Sequence, residues 1–276
     1  MFVERMHVLQ DDVFKHKKTQ QVGIAGSLYT VTGNVWWASV ANQTWEPHTY
    51  RRYFQYVTPS STTLVDFGTW IGPTLLFGAT RAARAFGIEG DPVAYADTLV
   101  NLQLNAAALK NVHLQPGCVS VRREVKDMRS AAAGNSCSGV GDAVACGNAT
   151  AAWKVQCYDL PFLLKHWGVD LSLDTFIKID VESYECALVP SMVNWLLAAP
   201  LKPTLSLAMH RQVSPCNEGA YADITRLAAA YKHVECASGS RITLLANADL
   251  EAGGIGNLCS SGDLLLSDHV PPADKS

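Results

Sequence analysis

From residue 63 onward the chain alternates short apolar runs with longer amphipathic ones, and this rhythm limits the fold more than any other feature. Thr63 to Phe67 reads as a buried strand, Pro73 to about Arg81 as a helix and Ala83 to Ile88 as a second strand. Pro92 to Asn105 follows as a helix with Val93, Ala96, Leu99, Val100 and Leu104 on one side, then Asn111 to Leu114 as a third strand. Thr175 to Ile179 and Thr204 to Met209 are the fourth and fifth strands. A helix marked by Tyr221, Ile224, Leu227, Ala228 and Tyr231 leads to strands at His233 to Ala237 and Ile242 to Ala246. Strands that alternate with helices must be joined by crossovers, which gives a mostly parallel sheet covered on both faces. The expected fold is therefore a doubly wound α/β domain over residues 61–276.

Two segments depart from this rhythm. Residues 1–60 read as an extension packed on the main domain, with a hairpin (Leu28 to Val31 and Val35 to Val40 around Thr32-Gly33-Asn34) and a helix opened by Trp45-Glu46-Pro47. Residues 130–152, rich in Ala, Gly, Ser and Asn, read as a flexible insertion with little surface to bury.

The Val65-Asp66-Phe67-Gly68-Thr69-Trp70-Ile71-Gly72-Pro73 block carries the strongest local chemistry. A strand delivers an acid, then two glycines, then a helix start. Glycine allows close approach to the backbone, and the helix start offers free N–H groups to an anion. Glu89 lies 21 residues after Gly68, at the tip of the second strand and ahead of Gly90 and Asp91. That is the spacing at which an acid accepts ribose hydroxyls in this architecture. A pyrophosphate needs glycine two residues after the first, and Trp70 stands there instead. Asp66 suits a cofactor bearing an amino acid. The pattern favours S-adenosylmethionine over a dinucleotide, although an ordinary tight turn after the strand also places glycines here.

Four blocks resemble the FkbM family of methyltransferases: Asp66 to Gly72 (D-x-G-A-x-I-G), Glu89 to Pro92 with Asn101 and Asn105 (E-P-D-P and N-x-x-x-N), Ile177 to Glu185 (I-K-I-D-V-E-G-x-E), and Lys202 to His210, a fifth strand ending in His. Thr69, Gly90, Ser183 and Ala208 depart from the family pattern. The resemblance implies a Rossmann-like class I methyltransferase sheet of seven strands, six parallel and one antiparallel. It also implies S-adenosylmethionine as cofactor and O-methylation of a sugar or hydroxylated small molecule. Cofactor contacts are expected from Asp66, Gly68, Trp70, Gly72, Glu89, Gly90, Asp91, Cys118 and Asp180. Asp180, Glu182 and His210 are the catalytic candidates, and Glu182, Glu185 and Trp45 the substrate-binding ones.

An alcohol is a poor nucleophile near neutral pH, so a positioned base should take its proton, and His210 has the natural pKa for that. His210 is also readable as a satisfied strand-end histidine, and Asp180 as a cap of the turn before Tyr184. Asp180, Glu182 and His210 carry ligand types of an oxygen-rich metal site, but the set is incomplete and no metal is expected. Trp36, Trp37, Trp45 and His48 either roof the substrate or glue the extension to the sheet. The alternatives are a cofactor-binding scaffold without turnover and an N-methyltransferase.

A net charge of −3 with only short Lys/Arg clusters argues against a nucleic-acid partner. Nothing resembles a signal peptide or a run of about 18 apolar residues, so no spanning segment and a cytoplasmic location are expected. None of the eight cysteines forms a C-x-x-C pair. Most read as buried thiols, with Cys137 and Cys146 able to pair in an oxidising compartment.

Overall fold

A computed structural model describes residues 18–109, 111–140, 148–172, 174–182, 184–210, 216–238, 241–259 and 262–269. Most of the leading segment, residues 141–147 with Cys146, and Ser183 lie outside these.

The main sheet takes five parallel neighbours from the alternating run: β3 (Thr63–Phe67), β4 (Arg84–Glu89), β5 (Val112–Pro116), β10 (Thr175–Ile179) and β11 (Thr204–Ala208). Three further strands complete it: β12 (His233–Ser238), β13 (Arg241–Leu244) and β14 (Asp263–Ser267). The order is β13-β12-β14-β11-β10-β3-β4-β5. β14 runs antiparallel between β11 and β12, so β12 points the same way as the parallel set. Six parallel strands and one antiparallel strand match the expected doubly wound sheet. β13, antiparallel on the edge, makes eight strands rather than seven. The antiparallel strand inside the sheet is β14, a strand that the sequence reading did not include.

Side-chain alternation explains why both faces are covered. Val65, Phe67, Ile177, Ile179, Leu264 and Leu266 point into one core with α5 (Leu160–His166), α6 (Glu185–Ala198), α7 (Glu218–Ala229) and α8 (Asn247–Leu258). Their neighbours Leu64, Phe176 and Leu265 point the other way, into a core built with α3 (Pro73–Arg81) and the front extension. Successive residues of a strand face opposite sides, so a near-continuous apolar run serves both layers.

In the extension, the hairpin lies earlier than the sequence suggests. β1 (Thr19–Ile24) pairs with β2 (Ser27–Thr32) across Ala25-Gly26. Both turn residues have positive φ, +46° and +88°, which matches the right-handed twist of the strands. The expected second strand is instead α1 (Trp37–Ala41), whose start is held by Asn34 accepting the Trp36 N–H at 3.0 Å. α2 (Pro47–Tyr56) follows as expected. Arg52 on α2 is 1% exposed and donates to Ser206 Oγ (3.1 Å) and the Asp263 carbonyl (2.9 Å), fastening the extension to β11 and β14.

The region expected to be a flexible insertion contributes to a second sheet of order β6-β9-β7-β8, from β6 (Cys118–Val119), β7 (Glu124–Ser130), β8 (Gly139–Val140) and β9 (Ala151–Tyr158). Asp91, at the start of α4 (Pro92–Leu104), accepts the Gly134 N–H (2.7 Å) and the Ser138 hydroxyl (2.8 Å), and the Trp153 indole donates to the Gly90 carbonyl (3.0 Å). These polar anchors on the main domain act together with a small core of Cys118, Met128, Val140, Val155 and Cys157.

The reading of most cysteines as buried thiols is corrected. Cys118 bonds Cys157, Cys186 bonds Cys216 and Cys236 bonds Cys259, with Cα–Cα distances of 4.4, 5.0 and 5.6 Å. Cys137 is also disulfide-bonded. Sequence spacing does not show these pairs because each joins different elements, as β6 joins β9 or β12 joins the end of α8.

Candidate active site

The carboxyl ends of β3, β4, β10 and β11, with the second sheet, enclose an open cleft of about 250 Å³. It lies where chain connections leave β3 in opposite directions, the usual ligand position in open α/β sheets. Of the expected site residues, Gly68, Trp70, Glu89, Gly90, Cys118, Asp180, Glu182, His210 and Trp45 line it. Asp66, Gly72, Asp91 and Glu185 do not, and each has a structural task beside it.

Gly68 has φ +80°, and a Cβ there would overlap the Asp180 carbonyl oxygen. Its glycine is therefore required by the crossing of two loops. Gly72 also has positive φ, and a Cβ there would stand 2.9 Å from the Thr98 methyl. Asp66 is fully buried, takes the Thr74 hydroxyl at 2.7 Å and lies 3.8 Å from Lys178. It faces the layer beneath the extension, because it shares strand parity with Leu64. Asp91 caps α4 through the Val93 and Ala94 N–H groups. Cys118 reaches the cleft wall with its sulfur tied to Cys157.

Glu89 Oε2 accepts the Trp70 N–H and Oε1 the Asp91 N–H, both at 2.7 Å. Burial pushes this carboxyl up to about 7, against the pull of those two donors. Trp70 has φ +49° and packs 5.7 Å from Trp45, with its indole N–H donated to the Gly134 carbonyl at 3.1 Å. Trp37 is fully buried core, whereas Trp45 is a cleft residue.

The acidic end of the cleft is denser than the sequence indicated. Lys178 Nζ donates to Asp180 Oδ2 at 2.8 Å and lies 3.8 Å from both Asp66 and Glu46. Burial would lower the Lys178 pKa, but Asp180, Glu46 and Asp66 hold it well above its ordinary value. Asp180 is the converse case: burial raises it, and Lys178 and His210 outweigh that and hold it low. Burial lifts Glu46 to about 8, and burial with the Asp180 charge lifts Glu182 to about 8. Glu46, from the extension, lines the cleft and was not among the expected residues. Its only sequence signal was its place before Pro47.

His210 stands at the end of β11. Its Nδ1 is 3.0 Å from Glu185 Oε1, which also accepts the Val181 N–H at 2.8 Å. Glu185 therefore secures the turn before α6. Nε2 lies 3.5 Å from Asp180 Oδ1 and 3.7 Å from Glu182 Oε2. Burial lowers the imidazole's pKa, but the Glu185 hydrogen bond and the surrounding carboxylates outweigh it and raise it to about 10. At neutral pH His210 is an imidazolium, so it can act as a base only after passing its own proton to a neighbour.

The sequence matches no protein-family model and no curated protein. Solved structures with a similar fold include a methyltransferase FkbM from Methylobacillus flagellatus, 14% identical at a TM-score of 0.43, which covers 84% of this chain and 53% of that one. This chain thus spans about half the length of that protein. An O-methyltransferase from Bacillus cereus in complex with SAH is 13% identical, with a TM-score of 0.41 and 80% of each chain covered. An RNA methyltransferase from Salinibacter ruber in complex with S-adenosyl-L-homocysteine is 13% identical, with a TM-score of 0.32 and 59% and 74% covered. What those proteins bind and modify belongs to them. Among the described residues, no helix is long and apolar enough to cross a membrane.

Proposed function

We propose that this chain is an S-adenosylmethionine-dependent methyltransferase acting on a hydroxyl of a sugar or other polyhydroxylated small molecule. The observation that carries the reading is Glu89, a buried carboxylate at the tip of β4 that lines the cleft beside the Gly68-Thr69-Trp70 turn. Each of its oxygens takes one backbone N–H and keeps a lone pair for a ribose hydroxyl. The cleft fits the cofactor chemically. Ile88, Val119, Met128 and Val140 give an apolar wall for the base, next to Glu89 and the Gly68-Thr69-Trp70 turn. Trp70 occupies the position that a pyrophosphate site keeps small.

When bound, the cofactor supplies an electrophilic methyl on a sulfonium. The chain's own residues align the acceptor and manage its proton. Asp180 Oδ1 is buried without a hydrogen-bond partner, and its carboxylate stays ionised beside Lys178. It is the group suited to accept the acceptor's O–H, with the His210 imidazolium beside it stabilising the alkoxide charge as it develops. Trp45 offers an aromatic wall to a sugar ring, and Glu46 and Glu182 offer further acceptors to neighbouring hydroxyls. Alignment of oxygen and methyl supplies the rest. The paired cysteines support an oxidising compartment rather than the cytoplasm.

The test is calorimetry with S-adenosylhomocysteine, followed by transfer of labelled methyl groups to a panel of sugars and polyols. Saturable binding that weakens in Glu89→Ala, with label on an acceptor oxygen, is expected. Binding without transfer to any acceptor would leave a scaffold module, and no binding at all would end the assignment.

A further inference from the structure

We infer that Asp180, Glu182 and His210 form a divalent-cation site at the acceptor end of the cleft, of the oxygen-rich type that takes Mn2+ or Mg2+. The three side chains bring one ligand atom each to within 4.8 Å of one another. His210 Nε2 stands 3.5 Å from Asp180 Oδ1 and 3.7 Å from Glu182 Oε2. Ligands held about 2.1 Å from a common ion are about 3.0–3.5 Å apart, so these edges need only a small contraction.

Three independent features point the same way. Asp180 Oδ1 is a buried acceptor with no hydrogen-bond partner, although the other oxygen of the same carboxylate is held by Lys178. Glu182 has φ +51°, a conformation L side chains rarely adopt, and the backbone turn it makes brings its carboxylate round to face His210. The other face of His210 is bound through Nδ1 to Glu185, which is 1% exposed and anchored by the Val181 N–H. A buried carboxylate on Nδ1 holds the proton on that nitrogen, so the ion takes the Nε2 position by displacing the second proton of the imidazolium, and cation binding should release about one proton. Two carboxylates and one imidazole leave open positions for water and for an acceptor hydroxyl, and with the ion bound its charge takes over from the imidazolium the stabilising of the acceptor oxygen.

The inference shares the cleft with the methyltransferase reading but does not need methyl transfer to be tested. MnCl2 is titrated into the full chain at pH 7.5 without cofactor and followed by calorimetry and by loss of the free Mn2+ paramagnetic resonance signal. One equivalent should bind, Mg2+ should compete, and His210→Ala and Glu182→Gln should weaken binding at least tenfold. Glu185→Gln, which touches no ion, should weaken it ten- to a hundredfold by releasing the imidazole. S-adenosylhomocysteine binding serves as the control for folding in every variant. No saturable Mn2+ binding by the wild type, or binding that all three variants leave unchanged, overturns the site. If S-adenosylhomocysteine still binds, that result removes the cation and spares the methyltransferase reading; Mn2+ binding without S-adenosylhomocysteine binding does the reverse.

Discussion

Cofactor affinity should follow the ionisation of a single side chain, Glu89. Its carboxyl is raised from 4.5 to about 7, with burial as the largest cause. An ionised carboxylate accepts ribose hydroxyls as charge-assisted bonds, which are about twice as strong as neutral ones. Each pH unit below about 7 therefore removes about 1.4 kcal/mol of binding, a factor of ten, until the protonated form dominates the complex as well. Between pH 8 and pH 6 the Kd for S-adenosylhomocysteine should rise about tenfold. Glu89→Gln should bind at least tenfold more weakly than the wild type at pH 8 and show no such slope. The stability of the unliganded fold moves the other way. An acid whose folded pKa is raised contributes stability that is fully present below about 4.5 and lost as pH rises through about 7, roughly 3 kcal/mol across that window. Calorimetric titration at half-unit pH steps, with urea unfolding of the unliganded chain alongside, reads both. A wild-type Kd constant within twofold from pH 6 to pH 8, or a Glu89→Gln variant that keeps the wild-type slope, refutes the reasoning.

Gly68→Ala should cost about 3 kcal/mol or more in urea unfolding, because the new methyl meets the Asp180 carbonyl and the residue must keep φ +80°; unchanged stability would mean the two loops are not in contact. The Cys118–Cys157 and Cys236–Cys259 bridges, with sequence separations of 39 and 23, should each contribute roughly 3–4 kcal/mol by restricting the unfolded chain. Dithiothreitol should lower the Tm, and a Cys118→Ser/Cys157→Ser double variant should also weaken S-adenosylhomocysteine binding; a Tm insensitive to reductant would argue against the pairing.

The parts of the fold legible in the sequence are those governed by neighbours a few residues apart. β3, β10 and α3 fall where the apolar runs and Pro73 place them, since strand burial and helix initiation are local properties. Gly68, Glu89, Asp180 and His210 reach one cleft because each ends a parallel strand of the same sheet, so their convergence follows once the alternation is recognised. The hairpin lies away from the stronger turn signal because Ala25-Gly26 is a weaker one than Gly33-Asn34, and the Trp36-Trp37 run suits a strand or a helix by composition alone.

The sequence by itself determined the alternating architecture, the glycine turn and the acids at the strand tips, because those depend on short-range pattern. Only the tertiary structure decided that Glu46 enters the cleft from the extension and that Asp66 turns away from it. It alone placed β14 between β11 and β12, joined the cysteines and closed Glu185 onto His210. Each of these outcomes depends on which residues meet after the chain has crossed the sheet. The electrostatic consequence, an imidazole held as a cation among carboxylates, depends on burial and distance, and neither is written in residue order.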